Sequence, residues 1–240
     1  MALVLFALAR LWAQWLTLGG SEGGSFGELM GPMLFETFWG AALIAQLILA
    51  TVAAQAFAAA PRRGAWKRAT VATILLSLTP AFSGHAISES RPVIGVILDS
   101  IHVLAAGTWL GTLIVLVAIA IPLLGDKKAR AAMHGLLVRF SRVALLSAAA
   151  LTLTGVYAAW VNVGSWHALW STPYGNALVR KLWAVVVVAG FGALNWRVTV
   201  PRLTLGGRQR FTVTGIAEVI GALLIFLFTA ILVGQPLPLE

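Results

Sequence analysis

Asp99 and His102 stand three residues apart in this 240-residue chain, inside a run that is otherwise almost free of charge. On a helix that spacing sets both side chains on one face. An ionisable pair within an apolar run is costly in lipid, and it usually faces a cavity or a partner inside a bundle. A third group belongs with them: His85, in Ser83-Gly84-His85-Ala86, closes the preceding apolar run, and the short connection keeps the two runs neighbours. Two imidazoles and a carboxylate suit copper or another late first-row divalent ion, with Asp99 either ligating or orienting His102. Met30 and Met33 flank the start of another run, and thioethers suit the cuprous ion. Lys181, beside Arg180 and about one and a half turns into a later run, either snorkels outward or serves a substrate anion, the Asp99 carboxylate or a haem.

Each of these residues also has an ordinary structural reading. His85 can be an interfacial residue, while Asp99 caps the beginning of a helix and His102 bonds a backbone carbonyl. Methionines at the edge of an apolar run are commonly just apolar. His167, in Gly164-Ser165-Trp166-His167, reads as structural and His134, in a basic stretch, as solvated. Glu218 and Arg10 are the other charges inside apolar runs, and snorkelling or a structural ion pair is the favoured account of both. The chain has no cysteine, which removes disulfides, thiolate ligands and cysteine nucleophiles. Walker, dinucleotide, H-E-x-x-H and G-x-S-x-G motifs are absent as well, so a soluble enzyme has no support and a transport or binding role is favoured.

The elements that must position these groups follow from composition. The chain is 60% hydrophobic and 10% charged, with a mean hydropathy of +0.92. One water-soluble core cannot hide that much apolar surface. Several stretches run roughly 20 residues with few charges, the length a helix needs to cross about 30 Å of hydrocarbon. The expected architecture is all-α: a single integral membrane domain over residues 1–240, built as a polytopic bundle of about seven spans. These are Met1 to Leu18, Met33 to Ala60, Ala69 to Phe82, Ile94 to Leu124, Leu136 to Val161, Asn176 to Val200 and Phe211 to Gly234. The third is short, so its helix is expected to extend back through Trp66, Lys67 and Arg68. The first lacks a basic start and a small-residue cleavage site, and reads as a retained helix.

The net charge of +9 does not point to nucleic acid, because the basic residues sit in short connections. The connection around Arg62, Arg63, Lys67 and Arg68 carries four. That around Lys127, Lys128, Arg130, Arg139 and Arg142 carries five, and that around Arg197, Arg202, Arg208 and Arg210 carries four, so 13 of 17 basic residues share one side. The positive-inside rule makes that side cytoplasmic, with the N-terminus inside and the C-terminus periplasmic in a bacterial inner membrane. Trp39, Trp66, Trp160, Trp166, Trp170 and Trp196 fall near span ends, where an amphipathic ring suits the interface. The spacing of Gly107 and Gly111 would let the fourth span approach a neighbour closely.

Longer stretches add a resemblance. Arg139-Phe140-Ser141-Arg142, Leu153-Thr154-Gly155 with Ala159-Trp160, Ser171-Thr172-Pro173-Tyr174-Gly175, Arg180-Lys181-Leu182 and Gly192-Ala193-Leu194-Asn195 occur in the order and spacing of CopD-type copper resistance proteins. Upstream, Ser83-Gly84-His85-Ala86, Asp99-Ser100-Ile101-His102 and Trp109-Leu110-Gly111 are similar to the same family, and the resemblance is strongest from Ser83 to Leu203. It implies a multi-helix inner-membrane protein linked to copper resistance or to copper uptake from the periplasm. His85 and His102 match the family's histidine positions and Lys181 its recurrent lysine. The chain departs from the family in its short first segment, where an additional N-terminal span is common, and in its thin methionine and histidine content. A more distant resemblance to HemJ-type membrane protoporphyrinogen oxidase, through His102, Trp109 and Gly111, implies a haem-binding oxidoreductase as the alternative. A non-catalytic accessory subunit docked on other membrane subunits is the third reading.

Overall fold

The computed structural model describes residues 25–59, 64–82, 92–123, 127–201 and 208–238, together with positions 11, 12, 15, 16 and 62. Among the described residues the structure is helical and contains no strand. Two compact units divide the chain, Met1–Leu104 and Ala105–Glu240.

In the first unit, Ser25 opens α1 (Phe26–Glu36) as its N-cap. Its hydroxyl accepts from the Glu28 amide at 3.3 Å and donates to the Glu28 carboxylate at 2.6 Å. The expected second span does not run unbroken from Met33. Thr37 is extended (φ −119°, ψ 153°), ends α1, and starts α2 (Phe38–Ala58) by accepting from the Gly40 amide at 3.2 Å. Met33 therefore lies on the short helix α1, one turn before the corner.

Helix α3 (Ala65–Leu78) starts before Trp66, Lys67 and Arg68, as expected, and tightens into a 3₁₀ turn over Thr79–Phe82. It packs against α2 through small residues. Ala50, Ala53 and Ala56 of α2 and Ala65, Ala69 and Ala72 of α3 are all buried. Small side chains let two backbones approach closely, and van der Waals contact then holds them where lipid supplies no hydrophobic drive. Phe57 and Trp66 meet edge to face with ring centroids 5.9 Å apart and close the hairpin at the basic connection.

Helix α4 (Pro92–Leu123) passes from the first unit into the second. Next comes α5 (Lys127–Val163), which stops at Gly164, where a positive φ of 69° supplies the left-handed turn after the helix. A short helix, α6 (Ala168–Ser171), leads into α7 (Pro173–Leu194), which widens into a π turn over Asn195–Thr199. The last helix is α8 (Arg208–Val233).

In the second unit, α7 and α8 pack extensively on each other. Apolar clusters of this unit join Leu116, Ala120, Met133, Leu137, Val200 and Phe211, and separately Leu110, Leu113, Val117 and Ala222. The close approach of α7 and α8 depends on Gly221, where a Cβ would come within 2.4 Å of Val188 Cγ2.

Five helical segments among the described residues are long and apolar enough to cross a membrane: Phe38–Ala58, Val93–Leu123, Ala132–Val163, Pro173–Val198 and Phe211–Val233. Helix α3, at 14 residues, reaches only about 21 Å at 1.5 Å per residue. The expected first span lies almost wholly outside the described residues. Leu145, Leu146, Leu153 and Val156 of α5 are among the most exposed side chains, which only an apolar solvent or partner accommodates. Trp66, Trp160, Trp166, Trp170 and Trp196 are also exposed, at or near helix ends.

The packing gives two glycine substitutions opposite signs. Gly190→Ala places its methyl in open space and raises stability by about 0.5–1 kcal/mol through helix propensity. Gly221→Ala drives a methyl into Val188 and costs about 1 kcal/mol or more. Thermal unfolding of the purified variants in detergent measures both, and a stabilised Gly221→Ala would contradict the packing.

Candidate functional site

Asp99 and His102 lie seven and ten residues into α4, so the pair sits about 10–15 Å along the helix. Both are half-buried. They head a heptad-like stripe that continues through Ala106, Trp109, Leu113, Leu116 and Ala120, of which the last three are buried, whereas Ile97, Ile101, Ile114, Val115 and Ile119 are exposed. The pair thus belongs to the packed side of an apolar helix. That is where an ionisable group is retained for a cavity or a partner.

Met30 and Met33 both belong to α1, three residues apart and on one face. Met30 is the largest fully buried side chain among the described residues, with 1% of its surface exposed, and Met33 is half-buried. His85 lies outside the described residues. Among the described residues, no group of three or more His, Asp or Glu is placed to hold a metal ion. Asp99, His102 and Lys181 are each engaged by a neighbouring group.

Lys181 belongs to the second unit, half-buried on α7. It falls between buried Leu178 and buried Val188 on the face that carries Tyr174, Gly192 and Asn195, so it shares the packed face. Arg180 lines a groove of about 390 Å³ with Trp183, Val187, Val188, Gly221 and Phe228.

The stretch Ser171-Thr172-Pro173-Tyr174-Gly175 builds the entry to α7. The Thr172 hydroxyl accepts from the Gly175 amide at 3.0 Å and donates to the Ala168 carbonyl at 2.7 Å, and Pro173 occupies the first helical position. Tyr174 joins Val163, Ala177, Leu178 and Leu232 in an apolar cluster. His167 is tied into the same corner. The Ser171 hydroxyl donates to its carbonyl at 2.9 Å and lies 3.1 Å from its Nδ1, in keeping with the structural reading of this histidine.

Glu218 departs from expectation. It neither snorkels nor forms an ion pair with a described residue; it is 93% removed from solvent, and the Asn195 side chain hydrogen-bonds its carboxylate. Asn195 Oδ1 in turn accepts from the Thr214 hydroxyl. All three side chains are buried. The signal in the sequence was a lone carboxylate among Thr214, Gly215, Ala217 and Ala222; its partner comes from a helix more than 20 residues earlier.

Helices of membrane length, packed through small residues and carrying polar groups on their inner faces, define a multi-pass integral membrane protein. The family model for copper resistance protein D matches residues 134–232, so this part of the chain is similar to that family. The matched residues take in α7, most of α5 and nearly all of α8, and they contain Lys181, Asn195 and Glu218. Over 194 residues, 75% of this chain, it is 28% identical to the protein named copper transport protein CutJ of Bacillus subtilis (strain 168). The aligned part covers 35% of that relative, so this chain spans about a third of its length. No solved structure matches the chain.

The α7 entry yields a prediction. Thr172→Ala removes the side-chain cap and lowers stability by about 1 kcal/mol, read as a reduced melting temperature in detergent. An unchanged midpoint would show that Pro173 and the Tyr174 cluster start the helix without it.

Proposed function

We propose that the chain handles copper within a bacterial inner membrane, taking the ion from the periplasmic face and passing it toward the basic cytoplasmic side. The observation that carries this reading is the Asp99 and His102 pair on the packed stripe of α4. The CopD match and the alignment with a protein named for copper transport support it.

In this reading copper is the cargo. His85 and His102 supply imidazole nitrogens, and Asp99 ligates or orients the His102 ring. Met30 or Met33 adds a thioether, which lets one donor set hold copper in either of its common oxidation states. All five residues fall in the first unit, Met1–Leu104. Lys181, on the packed face of α7, serves as the cation that holds a bound anion in the second unit.

Seven spans complete the topology, adding the first segment and α3 with its 3₁₀ extension to the five long helices. Basic connections then face the cytoplasm, the N-terminus is cytoplasmic and the C-terminus periplasmic. Alternating access would present His102 to the periplasm in one state and open the basic side in the other.

Copper titrations of single variants test the assignment. His102→Ala weakens copper binding at least tenfold, the scale seen even when a group behind a ligand is lost, while His134→Ala changes it little. Equal effects of the two would overturn the site.

A further inference from the structure

Glu218 lies seven residues inside the apolar segment Phe211–Val233, about 10 Å along the helix axis. It is on the face of α8 that packs on α7. Its surroundings are made for a carboxyl group. Gly192 leaves room for it, since a Cβ there would come within 2.9 Å of Glu218 Oε1. Asn195 is fixed from behind: with Oδ1 occupied by the Thr214 hydroxyl, the amide's NH₂ is the end left to donate to the carboxylate. Hydroxyl, amide and carboxyl thus form one directed chain across two helices, each of the three residues 7% exposed.

The charges that would make this an ordinary structural ion pair are missing among the described residues. The apolar cluster that adjoins Glu218 along α8 draws Leu110, Leu113 and Val117 from α4, Val219 and Ala222 from α8 itself, and Phe140 from α5. On α7, Gly192 and Asn195 meet Glu218. None of these can titrate. The charged residues of the packed helices lie elsewhere in the sequence: Arg180, Lys181 and Arg197 on α7 and its π turn, Arg139 and Arg142 on α5, and Arg208 and Arg210 at the start of α8.

A glutamine would accept the same hydrogen bond at the same length without bringing an ionisable group into hydrocarbon. What glutamate adds is an exchangeable proton. The donor set is also wrong for copper in its cuprous form, offering carboxylate, amide and hydroxyl oxygens and no imidazole or sulfur. At Asn195 the helix widens, with the Val200 amide bonding the carbonyl five residues back at 2.9 Å, and Arg197 follows exposed beside Trp196. Single wide turns of this kind occur often at functional sites. The widened turn links the buried carboxyl to the basic end of the bundle.

We propose that Glu218 is a proton-exchanging residue inside the membrane, held by Asn195 and Thr214 and loaded from the basic end of α7 and α8. The exchange is a single step: a proton arriving from water bonds to a carboxylate oxygen, and the same oxygen–hydrogen bond later breaks to return it. That copper movement is what this proton accompanies rests on the function proposed above; the exchange itself does not.

Infrared difference spectroscopy of the full chain in lipid nanodiscs, titrated with pH, tests the exchange without any metal. The expected result is a carboxylic-acid carbonyl band that comes and goes with pH, vanishes in Glu218→Gln, persists in Glu36→Gln, and shifts in Gly192→Ala. A band unchanged in a folded Glu218→Gln, or no titrating band at all, overturns the proposal. Should Glu218→Gln fail to fold, Gly192→Ala decides, because a band that stays in place there also overturns it. Copper titration of Glu218→Gln then separates the roles. Affinity within twofold of the parent supports a proton site, and a tenfold loss would make Glu218 a copper ligand and overturn it. A parent chain that binds no copper but keeps its titrating band refutes the copper reading and leaves the proton assignment standing.

Discussion

Inside hydrocarbon no water is at hand to satisfy a polar group, and the arrangement of polar atoms in this chain follows from that constraint. The backbone meets it by remaining helical through the apolar segments. Hydroxyl side chains meet it by donating to the carbonyl four residues back, as Thr73 does to Ala69, Ser141 to Leu137, Thr154 to Ala150 and Thr229 to Ile225. These hydroxyls are therefore locally satisfied and tell nothing of function. Other polar groups take a partner from farther away. Glu218, Asn195 and Thr214 solve the problem together, and Asp99 and His102 lie on a stripe that turns inward.

The same solvent changes what holds the helices together. Lipid tails are as apolar as leucine, so apolar side chains gain little by leaving them, and close contact between backbones takes over. Alanine serves that purpose between α2 and α3, and Gly221 against Val188 between α7 and α8. The bulky residues meanwhile point outward, as Leu145, Leu146 and Leu153 do on α5. Gly192 shows how packing and chemistry share a residue, since the space that lets α7 meet α8 is also the space the Glu218 carboxyl occupies.

Much of this was legible in the residues alone, because long apolar runs and i, i+3 spacing are local properties. The helical class, the early start of α3 ahead of Trp66 and the common face of Asp99 and His102 were all readable in that way. What escaped depends on details that hydropathy averages over. A smooth apolar run hid the corner at Thr37, which moves Met33 off the spanning helix, although Thr37 and Gly40 have the spacing of a cap. The entry to α7 was readable as a family pattern, yet its work is done by a threonine cap and a proline that need no ligand. Burial of Glu218 was not readable in the sequence, because its neutral partner, Asn195, is distant along the chain. His85 lies outside the described residues, so the meeting of two histidines stands as part of the proposal.

The central claim is that copper is the species this membrane domain takes up. The most direct measurement is the metal content of the detergent-purified chain, recorded together with its visible absorption spectrum. The account predicts copper in a fixed ratio to protein and no haem band. A haem band without copper would contradict it, and so would a preparation free of metal after exposure to both oxidation states of copper.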